Sequence, residues 1–251
     1  STPAQNLMLL RCPPLHRIKR FITNPRPYVY GRAAEDEPEE LEDFCNDRLH
    51  EFTLQQLPPL PRPKHVIRCF QATLGSTGVL IVIILHVAYV DCIVLPSENI
   101  TAAAFWIFAV LIHSEALVAL RCLAGIMFGD PGVIKRSKDT CFPLPAEIAE
   151  CLREGKTTED MRNIWRDDKR NPQSYCVRCL VWRPCEAHHC STCAQCVYDF
   201  DHHCDVFGRC IAGNGFGGNM GYFKVIIGMF FIGFITCAFA SEYQPDEYKL
   251  G

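Results

Sequence analysis

The chain has 251 residues, 49% of them hydrophobic, with 25 Lys and Arg against 28 Asp and Glu. A net charge of −3 offers no basic surface for nucleic acid, and the length suits a membrane domain plus one small folded module. Sixteen cysteines would suggest disulfides in a secreted chain, but eight of them fall between 176 and 210, six at metal-ligand spacing, which calls for a reducing compartment or one where zinc binds first.

Residues 1–69 read as a Pro-rich, largely disordered cytosolic arm, since ten of the seventeen prolines lie before residue 69. Leu41, Cys45, Leu49 and Phe52 fall at helical spacing, so the arm has room for one short amphipathic helix. The chain opens on Ser1 without a basic-apolar leader, as a fragment or processed form would.

Residues 70–90 carry no charge and include the aliphatic run Val79 to Leu85, which predicts a first membrane span. Residues 91–99 form a lumenal turn without Lys or Arg, and 100–120 form a second span stopped by Arg121. That span holds His113 and Glu115. An ionisable group at mid-membrane usually faces a partner helix or a cavity, so Glu115 lines an acyl or CoA-side path, pairs with a polar group on a neighbouring span, or is protonated. Arg62, Lys64 and Arg68 before the first span, with Arg121, Lys135, Arg136 and Lys138 after the second, place both flanks in the cytosol.

Residues 121–175 read as a polar cytosolic linker with one short helix from Pro145 to Glu154, Ile148 and Leu152 sharing a face. Thr157-Thr158-Glu159-Asp160 reads as a helix cap before Met161, Ile164 and Trp165. Residues 176–218 are the cysteine-rich domain. Residues 219–242 supply a third span, and 243–251 a short tail.

Two copies of one spacing are interleaved in the cysteine-rich stretch. Cys176, Cys179, His189 and Cys196 give C-x2-C-x9-H-x6-C, and Cys190, Cys193, His203 and Cys210 repeat it 14 residues on. Each copy offers three thiolates and one imidazole, a closed tetrahedral set of the kind that holds structural zinc. The next step of the repeat would carry Cys190 onto Cys204 and need a cysteine at 207, where Phe207 stands. Cys204 is therefore left over, beside the unspent Asp201 and His202. A spare thiol next to a histidine and a carboxylate has the parts of an activated nucleophile; the competing reading is an inert buried thiol.

Asp201-His202-His203-Cys204 in this frame resembles the DHHC family of protein S-acyltransferases (palmitoyltransferases). Pro184, His188-His189-Cys190 and Asp130-Pro131-Gly132 match further family motifs. The resemblance implies an α-helical multi-pass membrane protein, here with three visible spans, carrying a small cytosolic two-zinc Cys3His domain between the second and third. It implies two structural zinc ions and fatty acyl-CoA such as palmitoyl-CoA as donor. Cys204 would take the acyl group as a thioester and pass it to cysteines of client proteins, with His202 and Asp201 activating it. The setting it implies is the cytosolic face of Golgi or endoplasmic reticulum membranes, with membrane lipid as partner and association with itself or with full-length relatives.

The chain departs from the family pattern at several places. Asp205-Val206 stand where Pro-Trp is usual, and a second carboxylate beside Cys204 opposes thiolate formation. Gly208-Arg209 replace an Asn-Asn pair, Glu186 replaces an Arg, and neither a fourth span nor a TTxE motif follows; Thr157 to Asp160 resembles that motif only superficially. Asn219 with Phe223 fits the Asn and aromatic that follow the last zinc cysteine better than Asn214 with Phe216. The alternative to an enzyme is a membrane-anchored zinc scaffold that binds clients or relatives.

Overall fold

The computed structural model describes residues 52–166 and 172–248. The Pro-rich arm up to residue 51, including the proposed amphipathic helix face at Leu41, Cys45 and Leu49, lies outside them.

Among the described residues, three helices are long and apolar enough to cross a membrane. They are α1 (His65–Tyr89, continued by a π-turn Val90–Val94), α2 (Ala102–Phe128) and, at the other end of the chain, Met220–Ala240. At 1.5 Å per residue each reaches or exceeds about 30 Å, the hydrocarbon thickness. Their outward faces show large apolar side chains such as Ile84, Leu85, Phe231 and Phe234, which only lipid can cover favourably. α2 starts where Thr101 Oγ1 accepts from the Ala104 amide at 3.2 Å. Arg121 does not stop this helix. Its guanidinium lies 5.7 Å over the Tyr222 ring, so the charge is accommodated and the helix runs on to Phe128.

At one end the three helices close on Val90, Val94, Phe108 and Ala240. Tyr89 Oη donates to Gln244 Oε1 at 3.0 Å and Asn99 Nδ2 to Gln244 O at 3.2 Å, which ties the turn between α1 and α2 to the C-terminal segment. At the other end they meet the cysteine-rich body.

That body contains β1 (Ile164–Arg166), β2 (Gln173–Cys176) and β3 (Val181–Pro184) in an antiparallel sheet of that order. Two hairpins follow, β4 (His188–Cys190) with β5 (Gln195–Val197), and β6 (Phe200–Cys204) with β7 (Arg209–Ala212). The registers repeat: Cys176 faces Val181, Cys190 faces Gln195, and Cys204 faces Arg209. The turns repeat too, with φ of 54°, 54° and 61° at Leu180, Ala194 and Gly208. The hairpin bearing Cys204 is thus a third copy of the same turn, built with Phe207 in place of the second cysteine.

The described residues of the stretch read as a polar linker are folded. Ile134, Cys141, Ile148 and Tyr175 share one core with Val177, Leu180 and Trp182. The helix α3 (Ala146–Arg153) buries Ile148 into it, with Pro145 at its N-terminal boundary. The reading of Thr157 to Asp160 as a helix cap is overturned. Thr158 Oγ1 donates to Val177 O at 2.7 Å, and the chain continues as β1 because pairing with β2 leaves no helical turn to cap. Asp130-Pro131-Gly132 makes an Asx turn, its Oδ1 accepting from the Gly132 and Val133 amides at 2.9 Å, and steers the chain onto β5, where the Ile134 amide donates to Cys196 O at 2.9 Å. The last helix, Met220–Ala240, is α4.

Candidate active site and metal centres

The interleaved spacing closes in space as two separate groups, Cys176, Cys179, His189, Cys196 and Cys190, Cys193, His203, Cys210. Within each, the candidate ligand atoms lie within 4.8 Å of one another. His189 Nδ1 stands 3.7, 3.2 and 3.9 Å from the sulfurs of Cys176, Cys179 and Cys196. His203 Nδ1 stands 3.5 and 3.4 Å from those of Cys190 and Cys193. Donors on a tetrahedron around zinc, at about 2.0–2.3 Å from the ion, stand about 3.3–3.8 Å apart, so both groups fit that ion.

The crowded thiols polarise one another. Hydrogen bonds from Cys179 and Cys196 hold Cys176 well below the ordinary thiol range, and the contact with Cys176 pushes Cys179 up to about 12. In the second group Cys190 is held low by Cys193 and Cys210, while Cys210 is pushed up. A divalent cation would take the place of the shared protons.

The pleat of β6 sorts the tetrad. Successive strand side chains point to opposite faces, so His202 and Cys204 share one face and His203 takes the other, toward the second group. A register shift between Phe200 and His202 frees Asp201 to turn back on its neighbour. Asp201 Oδ2 lies 2.7 Å from His202 Nδ1, which makes Nδ1 the donor and leaves Nε2 as the basic nitrogen. The Phe223 ring of α4 packs edge-on against the His202 imidazole, centroids 5.4 Å apart.

Cys204 is 7% exposed and lines an apolar cavity of about 810 Å³ that lies between α1, α2 and α4 and is open on one side. Phe207 and Phe223 stand near Cys204; Val79, Val82 and Ile226 line the wall; His86 and Glu115 lie toward the opposite end. Glu115 lines the cavity, and its Oε1 accepts from Thr236 Oγ1 at 2.7 Å, a polar group on a neighbouring span.

The departures from the family pattern have structural uses. Asp205 accepts from Gln71 Nε2 at 2.8 Å, and its side chain is 83% exposed, so solvent screens the carboxylate beside Cys204. The Val206 carbonyl packs directly on Gly75 of α1, where any Cβ would collide with it. Gly208 holds the left-handed turn against α1 and accepts from Arg68 Nε at 3.3 Å. Arg209 donates to Met127 O and Gly129 O at the C-terminus of α2, and burial lowers its pKa. Asn219 is fully buried, accepting from the Ala212 amide at 2.9 Å and donating to Cys210 O at 2.8 Å, whereas Asn214 is exposed. Gln71, Gly75 and Arg209 carry no motif signal; Asn219 was legible only through the family pattern.

Residues 169–246 match the model of the DHHC palmitoyltransferase family. Three curated relatives agree with it. Palmitoyltransferase Hip14 of Drosophila melanogaster is 36% identical over 113 residues, 45% of this chain and 16% of the relative. Palmitoyltransferase ZDHHC9 of Homo sapiens is 33% identical over 106 residues, 38% of this chain and 28% of the relative. Palmitoyltransferase PFA3 of Debaryomyces hansenii is 54% identical over 37 residues, 15% of this chain and 9% of the relative. The chain thus spans under a third of the length of the curated relatives it matches, and the family match covers the cysteine-rich domain and the last long helix.

Proposed function

We propose that this chain, similar over residues 169–246 to the DHHC palmitoyltransferases, is a membrane-embedded protein S-acyltransferase. The observation that carries the reading is the placement of Cys204. It lines an apolar cavity between the three long helices and lies two residues along one strand from a histidine whose other nitrogen is held by a carboxylate.

In the loading step His202 Nε2 takes the Cys204 proton, while Asp201 holds the imidazole and steadies its positive charge. The thiolate attacks the thioester carbonyl of fatty acyl-CoA. The new bond joins carbonyl carbon to Cys204 Sγ, the bond to the CoA sulfur breaks, and the departing sulfur takes the proton from His202. In the transfer step a client cysteine attacks the acyl-enzyme in the same way and Cys204 leaves as a thiol. The acyl chain rests meanwhile among Val79, Val82 and Ile226, away from water.

Cys176, Cys179, His189 and Cys196 hold one structural zinc, and Cys190, Cys193, His203 and Cys210 the other. Their bound ions supply no step; they fix the hairpins that aim β6 at the cavity. The catalytic module faces the cytosol, in line with the Lys and Arg that flank the first two spans.

Acyl labelling tests the reading. The purified chain, fully metallated in lipid nanodiscs, is incubated with a clickable fatty acyl-CoA and read for hydroxylamine-sensitive label. Label on the wild type that is lost in Cys204→Ser, at two zinc ions per chain in each, is the expected result. Equal label on both, or none on the metallated wild type, would sink it and leave the scaffold reading.

A further inference from the structure

Cys204 is buried, but its neighbours along the chain reach solvent. Asp205 follows it directly, lines the same cavity and has a side chain 83% exposed, so it stands at the cavity's mouth. Its position is fixed: Gln71 Nε2 donates to Oδ1 at 2.8 Å. Its other oxygen, Oδ2, makes no hydrogen bond among the described residues, and none of their Lys or Arg side chains pairs with the carboxylate. The imidazole of His203, 3.9 Å from Oδ1, belongs to the second metal group, and a metal-bound imidazole is neutral. The other exposed carboxylate beside the thiol, Asp201, is engaged with His202. Asp205 is therefore a held carboxylate, next to the nucleophile, with a free acceptor turned to solvent. Two substrates reach Cys204 in turn. Acyl-CoA brings the phosphates of its CoA, which a carboxylate repels. The charge can favour only the second substrate, the client chain.

We propose that Asp205 is a specificity-determining residue for the client, favouring cysteines that have Lys or Arg as immediate neighbours. This rests on the acyl-transfer reading above and leaves its chemistry unchanged. The client sulfur must meet the carbonyl carbon bonded to Cys204 Sγ, so the client backbone passes over the exposed residues around Cys204. Neighbouring residues of any chain stand about 3.8 Å apart from Cα to Cα. A residue next to the client cysteine is thus carried over a residue next to Cys204, where a Lys or Arg side chain donates to Asp205 Oδ2. Because Gln71 already orients the carboxylate, pairing costs it little further side-chain freedom. The pair is exposed, so its gain is modest and falls with salt.

The test is a two-stage chase. The full chain in phosphatidylcholine nanodiscs, which carry no net charge, is loaded with palmitoyl-CoA and freed of excess donor. Its Cys204 adduct is verified by intact-protein mass spectrometry. The acyl-enzyme then receives equal amounts of two peptides that differ only in having Lys or Gln on both sides of a single cysteine, and the acylated products are weighed. Lys neighbours raise the reactivity of a thiol on their own, so the Lys-to-Gln product ratio is read against Asp205→Asn, whose amide oxygen can still accept from Gln71. The wild-type ratio should exceed that of the variant by about fivefold, the upper range for an exposed ion pair. Asp205→Glu should stay near the wild type. Raising salt from about 0.01 to about 1 M should remove most of the wild-type excess, a readout that needs no variant. A ratio equal or higher in Asp205→Asn, or a wild-type ratio unmoved by salt, would overturn the proposal while leaving the transferase reading intact. Absence of any Cys204 adduct, or an adduct that passes to neither peptide, would instead sink that reading and the proposal with it.

Discussion

The side-chain amide of Gln71 donates to the Asp205 carboxylate at 2.8 Å, and the same amide places its oxygen 3.3 Å from Nε2 of His203. One residue of α1 thus clips the loop after Cys204 and orients the imidazole whose other nitrogen faces the second metal group. A group that holds the far nitrogen of a metal-bound histidine fixes the ring and its tautomer, and its loss typically costs ~10–100-fold in metal affinity. Gln71→Leu should therefore speed zinc loss to a chelator from the second group by about that factor and leave the first group unchanged. A zinc-release time course with a colorimetric chelator, showing one fast and one slow ion, checks it.

Gly75 lets the Val206 carbonyl rest on α1. Gly75→Leu has no free space to fill and must push the hairpin carrying Cys204 away from the cavity. Acyl label on Cys204 should fall by at least about tenfold, since ångström-scale misplacement of a reacting group can cost ~100-fold. The ion of the first group should be retained, because Cys176, Cys179, His189 and Cys196 all lie outside that hairpin.

Asn219 joins the start of α4 to β7 with two buried hydrogen bonds. Asn219→Ala would strand the Ala212 amide and the Cys210 carbonyl away from water, at about 1–3 kcal/mol for each unsatisfied group. A drop in apparent Tm in detergent, with label lost in proportion to unfolded protein, is the expected outcome. Asn214→Ala, at an exposed position, should leave Tm unchanged.

The two metal groups should fail differently. Cys176, Cys179 and Cys196 belong to the largest buried cluster of the cysteine-rich body, with Trp182 and Tyr175. Cys176→Ser should unfold that core and red-shift tryptophan fluorescence. The second group packs in a smaller cluster with Val197 and Ala212, next to the reactive hairpin. Cys190→Ser should release one zinc and abolish label with a smaller fluorescence change. Metal analysis and emission spectra on the same samples distinguish the two.

Much of this was readable in the chain. The 14-residue offset that duplicates the ligand spacing carries Cys190 onto Cys204 and leaves it without a ligand set; that it opens a third hairpin of the same register and turn is visible only in the structure. The three apolar segments were legible by length, although α2 runs past Arg121 because Tyr222, distant in sequence, covers the charge. The stretch between α2 and the first metal group was misread as a linker, since Ile134, Cys141, Ile148 and Tyr175 are too widely spaced to show a period. Thr157 to Asp160 reads as a helix cap because the carbonyl partner of Thr158, on Val177, is 19 residues away, beyond the reach of local pattern.

Covalent order alone carried the metal groups, the tetrad and the apolar helices, because ligand type, strand alternation and hydrocarbon thickness all act over short, regular spacings. Tertiary structure decided what surrounds Cys204. Which helix faces form the cavity, that Gln71 meets Asp205, that Gly75 admits Val206, and that Glu115 and His86 lie at its other end all depend on how α1, α2 and α4 pack. Apolar helices leave that choice open along their length. It is settled by small residues at close approaches and by the few polar side chains that must find partners between them.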